Sequence, residues 1–226
     1  MFVTGTGTDV GKTVVAATIC AALRARGEQV VPFKPVVTGA EEPADRDWPP
    51  DDALLAAAAG VGAEEVTAAR FGPPVSPHLA AELAGAPLDP GLLRGAFDAR
   101  AAEAEIVVVE GVGGLLVPLA RDYLVRDFAV DLGLPLVVAA SPGLGTINHT
   151  LLTLEAARAA GLRVAGVVLT PWPTQPSALQ DDNRATIARL GDVEVATLSQ
   201  LPRADPALLA HAGAQLPLDR WLGACR

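Results

Sequence analysis

Within the run TGTGTDVGKTVV, Thr4–Val15, three adjacent residues have the types that handle phosphate: Gly11, Lys12 and Thr13. Placed at the mouth of a helix, Gly-Lys-Thr offers backbone N–H groups, an ammonium and a hydroxyl to a polyphosphate and its metal ion. The P-loop pattern asks for a first glycine at position 6. Thr6 stands there instead, between Gly5 and Gly7. The spacing is off by one, yet an apolar strand leads in and an apolar-periodic helix leads out. Thr8, Asp9, Val10 and Val14 flank the triplet as further candidate nucleotide contacts.

Further chemistry-bearing residues sit after the other apolar runs. Lys34 ends an extended stretch, FKPVVTG, and Thr38 and Gly39 follow it as a turn. Asp51 and Asp52 open a helical pattern, where the helix dipole favours acids. Glu110 closes the run IVVVE, and a buried strand that ends in an acid needs a partner for it. The glycines around Val112, Gly111 and Gly113, let backbone approach a ligand closely. Mg²⁺ beside phosphates takes one or two carboxylates and further oxygen donors. Thr13, Glu110 and one of the paired aspartates make such a set. Thr146 or Asn148 can cap the helix that begins in GTINHT, whose free N–H groups suit a carboxylate. His78 and His149 have no second histidine at ligand spacing and read as structural.

These residues need a frame that gathers strand ends. The strand segments are MFVTG, EQVVPFKPVVTG, EIVVVEGVGG, LPLVVAAS, LRVAGVVLT and VEVATLS, with helical patterns between them. Runs apolar on both faces belong inside a parallel sheet. The alternation predicts an α/β fold, doubly wound on a mostly parallel sheet, as a P-loop nucleotide-hydrolase-like single domain over residues 1–226. Ligands of such sheets bind beyond the carboxyl ends of the strands. Ser76 and Asp89, each followed by proline, are predicted N-caps. Asp45–Pro50 reads as a polar, proline-rich loop.

A net charge of −9 without clustered Lys and Arg argues against nucleic acid as a partner. No apolar run reaches a membrane span and no leader pattern is present, so a cytoplasmic protein is expected. Cys20 falls in an apolar helical pattern and reads as a buried free thiol; Cys225 is far from it in sequence.

Taken in order, TGTGTDVGKT, KPVVTG, the DD before ALL, SPHLAA, VEGVGGLLVP and GTINHTLLTLEA resemble the dethiobiotin synthetase family over most of the chain. The family's loop carries the same stretched glycine spacing. The resemblance implies an ATP- and Mg²⁺-dependent cyclo-ligase that joins CO₂ to 7,8-diaminononanoate and closes a ureido ring. It implies catalytic roles for Lys12 and Lys34 and nucleotide contacts from Thr8 to Val14 and from Gly111 to Gly113. Thr13, Asp52 and Glu110 would be the metal set. Thr38 and Gly113 would contact the substrate. A homodimer is implied, in which Thr146, Ile147 and Asn148 hold the diamine's carboxylate across the interface. Thr170 takes roughly the position where the family often has an adenine-reading Asn, so CTP or other triphosphates join ATP as candidate co-substrates.

The main rival is a partition-type or regulatory P-loop ATPase acting as a nucleotide switch. Such proteins carry a lysine five residues before the loop lysine, and Gly7 occupies that position. An amidotransferase-type ligase would need a glutaminase domain with Cys and His. A non-enzymatic nucleotide-binding module would have no use for Lys34, Thr38 and Glu110 around one crevice.

Overall fold

The computed structural model describes residues 1–41 and 48–223. Strand β1 (Phe2–Gly5) is buried throughout and runs into the phosphate loop, which ends at helix α1 (Lys12–Ala25). Strand β2 (Val30–Val37) follows, then α2 (Asp51–Ala59), a 3₁₀ turn and the short strand β3 (Thr67–Arg70). Helices α3 (Pro77–Leu83) and α4 (Pro90–Ala101) lead to β4 (Ile106–Glu110). A small antiparallel pair, β5 (Pro118–Ala120) and β6 (Tyr123–Leu124), precedes α5 (Val125–Leu132). The remainder alternates: β7 (Leu136–Ala140), α6 (Thr146–Ala159), β8 (Val164–Trp172), α7 (Ala178–Gly191), β9 (Val195–Ser199), α8 (Pro206–Gly213) and α9 (Leu218–Gly223).

Seven strands form one sheet in the order β3-β2-β4-β1-β7-β8-β9, and every pairing in it is parallel. Val3 pairs with Glu110 on one side and Val137 on the other. The phosphate loop therefore opens between the ends of β4 and β7, where the strand order reverses, as the doubly wound reading requires. Two cores cover the sheet. Val15, Ile19 and Leu23 of α1 pack with Leu55, Leu209 and Trp221 on one face. Phe33, Phe97, Phe128, Leu154 and Ile187 fill the other, with Phe33 and Phe97 edge to face at 5.9 Å. Burying such side chains contributes about 1.5–3 kcal/mol each and holds the strand ends in register.

Asp89 caps α4 by accepting from the N–H groups of Gly91 and Leu92. Ser76 occupies the N-cap of α3 without a side-chain bond. Helix α6 departs from expectation: Gly145, with φ 90°, is its N-cap, and Thr146 is already helical. Neither Thr146 nor Asn148 caps it. Cys20 is a buried free thiol, its pKa pushed up to about 12 by burial. Cys225 and residues 42–47 of the proline-rich loop lie outside the described residues. Among the described residues, no helix is long and apolar enough to cross a membrane.

Candidate functional site

The loop geometry explains its glycines. Gly11 has φ 88°, and a Cβ there would lie 2.6 Å from Cγ2 of Thr170. Only glycine both adopts that backbone and fits beneath β8. Asp9 also has a positive φ, 57°. The Lys12 ammonium, at the first turn of α1, donates to the Gly7 carbonyl at 2.8 Å and arches over the loop. Burial holds its pKa below the ordinary lysine value.

Beyond the strand ends lies a cavity of about 1120 Å³. It gathers Thr8, Asp9, Gly11, Lys12, Thr13 and Val14 from the loop region, Lys34 and Thr38 from β2 and its turn, and Glu110, Val112 and Gly113 after β4. Trp48, Asp51 and Arg70 also line it.

At the cavity floor Lys34 donates to Glu110 Oε1 at 2.7 Å and to Asp51 Oδ2 at 2.5 Å. Thr13 Oγ1 donates to the same Glu110 oxygen at 2.8 Å. Glu110 is wholly buried and Lys34 nearly so. Burial alone would push Lys34 toward the neutral amine, but Glu110 and Asp51 outweigh it, and the pKa is raised. Asp51 is pulled below the usual carboxylate range, because Lys34 outweighs its burial. Glu110 moves the other way, since burial outweighs the help from Lys34. Two carboxylates share one ammonium here, and Glu110 is left short of positive charge. Its second oxygen, Oε2, is buried and has no hydrogen-bond partner among the described residues. Hard oxygen donors with an orphaned carboxylate oxygen beside a phosphate loop fit a divalent cation.

Comparison with known proteins decides the family. A family model described as an AAA domain matches residues 1–207. The ATP-dependent dethiobiotin synthetase BioD of Mycolicibacterium gilvum (strain PYR-GCK) is 43% identical over 202 residues, covering 87% of this chain and 85% of the relative. The protein of that name from Aromatoleum aromaticum is 38% identical over 220 residues, covering 96% of each. The chain belongs to the dethiobiotin synthetase family. A structure of the MinC:MinD cell division protein complex from Aquifex aeolicus aligns with TM-score 0.52 over 93% of this chain and 85% of its own. At 13% identity that likeness shows the fold alone.

Not every expected site residue of this family member lines the cavity. The resemblance favoured Asp52 for the metal set, but the structure turns Asp51 toward Lys34 and buries Asp52 in an ion pair with Arg70. The reason is helical geometry: neighbouring helix residues point about 100° apart, so two adjacent acids cannot face one point. Val10 packs against the core, not the cavity. Gly111 is buried, donates its N–H to the Val3 carbonyl and lies under the ring of Phe2. Thr170 is 3% exposed and braces Gly11 with its methyl group, so it is not presented as a base-reading side chain. Thr146 is buried, Ile147 half-buried against the core and Asn148 exposed at the start of α6, outside the cavity lining. Arg70 was missed altogether. Its only signal was a lone Arg in a short run, TAAR, too brief to read as a strand.

Proposed function

We propose that the chain is an ATP-dependent dethiobiotin synthetase that carboxylates one amine of 7,8-diaminononanoate and closes the ureido ring in this cavity. The reaction needs a carbamate, which takes the γ-phosphoryl group and releases ADP. The second amine then attacks the carbonyl carbon of the carbamic-phosphoric anhydride, and phosphate leaves with the electron pair of the broken C–O bond. The observation that carries this reading is the cluster of Lys34, Glu110, Thr13 and Asp51 at the mouth of the phosphate loop. A simple nucleotide-binding module has no need of a second buried lysine there. Relatives at 38–43% identity named as synthetases leave the switch ATPase reading without support.

Lys12 and the N–H groups from Thr8 to Val14 bind the triphosphate. Lys34 steadies the carbamate and γ-phosphoryl oxygens as charge moves between them. Thr38 and Gly113 contact the diamine. Thr13, Asp51 and Glu110 would hold Mg²⁺, with Asp51 in place of Asp52. When bound, Mg²⁺ supplies charge neutralisation on the β- and γ-phosphates. Thr170 stands near the end of β8 where the family often has an adenine-reading Asn, so CTP is proposed alongside ATP as co-substrate. A homodimer in the cytoplasm completes the reading, with Thr146, Ile147 and Asn148 of each copy serving the other's diamine carboxylate. The exposed Leu144 and Leu152 beside them give that face its apolar contact.

The test is phosphate release by purified protein with ATP, Mg²⁺ and bicarbonate, with and without 7,8-diaminononanoate. Release is expected only with the diamine. Full-rate hydrolysis without it would overturn the ligase reading.

A further inference from the structure

Helix α2 begins with two acids, and what decides which one enters the site lies on another strand. Its N-cap is Pro50, which makes no side-chain cap bond. The first turn therefore needs an anchor from outside. Leu54, Leu55 and Ala58 pack the body of the helix against the core, beyond its first two residues.

Arg70 provides that anchor. It ends β3, the edge strand, in register with Val37 of β2, one residue before Thr38. Its guanidinium pairs with Asp52, whose side chain is 1% exposed, while 44% of the Arg70 side chain stays open at the cavity rim. Among the described residues, neither Asp52 oxygen has another hydrogen-bond partner. A buried carboxylate with one cation beside it is held by that cation and by nothing else polar.

We propose that Arg70 is a positioning residue: by capturing Asp52 it fixes the first turn of α2 so that Asp51 faces Lys34, Thr13 and Glu110. The two acids thus divide their work. Asp51 serves the cation and Lys34, and Asp52 serves as the inward tether. The inference rests on the metal set proposed above, Thr13, Asp51 and Glu110.

The experiment is a Mn²⁺ titration, read by the EPR signal of free Mn²⁺, with the full chain and a non-hydrolysable ATP analogue. Melting temperature is measured on every sample. Asp51→Asn should weaken Mn²⁺ binding at least tenfold, in keeping with loss of a carboxylate ligand. Parent-like binding by Asp51→Asn would overturn the metal set itself. With Asp51 dependence in hand, Arg70→Met should weaken Mn²⁺ about tenfold, and Arg70→Lys should recover part of the loss by re-forming a pair with Asp52. In turnover, Arg70→Met should raise KM for Mg²⁺ about tenfold and lower kcat no more than about threefold. Should Arg70→Met fail to fold, Arg70→Lys and Asp52→Asn carry the test, each with a smaller loss of Mn²⁺ affinity. Arg70 variants that melt lower but bind Mn²⁺ like the parent would reduce the pair to a fold-stabilising contact and overturn the inference.

Discussion

Lys34 and Glu110 meet at 2.7 Å with Glu110 wholly buried and Lys34 nearly so, and each supports the charge of the other. Removing one partner of such a pair leaves an uncompensated buried charge, at a cost of about 3–5 kcal/mol. Lys34→Ala should therefore do two things. Diamine-dependent phosphate release should fall by at least about 10²-fold, the usual scale for losing a group that stabilises developing charge. Denaturant unfolding should also show a stability loss of a few kcal/mol, against the near-neutral effect of a typical surface substitution. Near-parental turnover by the folded fraction would remove Lys34 from the mechanism.

Nucleotide choice is a second expectation. Sites that read a base through a dedicated hydrogen bond can discriminate about 10⁴-fold, whereas apolar and shape contacts give far less. With Thr170 turned into the loop, kcat/KM for ATP and CTP should agree within about tenfold. A four-nucleotide panel in the diamine-dependent assay measures this directly. A CTP rate at background would point to an adenine reader elsewhere on the chain.

Close packing of α1 against α8 yields a third. A Cβ on Gly213 would lie 2.4 Å from the Thr18 carbonyl oxygen, a backbone atom that cannot step aside. Gly213→Ala should lower stability by about 1–3 kcal/mol, as overpacking does. It lies outside the cavity lining, so KM values of the folded protein should not change.

Cys20 sets a pH expectation. Its folded pKa of about 12 lies above the unfolded thiol, near 8.5. A raised pKa contributes stability that is complete below the unfolded value and declines as pH rises from there toward the folded one. In a Cys225→Ser background, stability should fall between about pH 9 and 12, and Cys20→Ala should flatten that part of the profile. Alkylation at pH 8 should proceed only on unfolding. Rapid labelling of the native protein would contradict the burial.

Where the sequence speaks through chemistry, the structure follows it closely. Lys12, Thr13, Lys34 and Glu110 were legible because strand ends in a doubly wound sheet converge, although Lys34 lies inside β2 and not at its end. The choice between Asp51 and Asp52 was not legible. It turns on a rotation of about 100° set by Arg70, a residue distant in sequence on a strand of four residues. The hairpin β5–β6 and helices α5, α8 and α9 escaped for the same reason. None exceeds eight residues, less than is needed for a periodic pattern to rise above its surroundings.

The order of strands carries a consequence in time. Strand β1 has no strand partner until residues 109–110 and 136–139 exist to pair with it. Local segments such as α1 form early, but the crevice requires contacts across more than half the chain, the kind that slow folding. During synthesis the phosphate loop is thus made near the start and gains both flanking strands only after residue 139. A nascent chain arrested before β7 would carry the loop's full sequence and still lack one of the two strands that pair with β1.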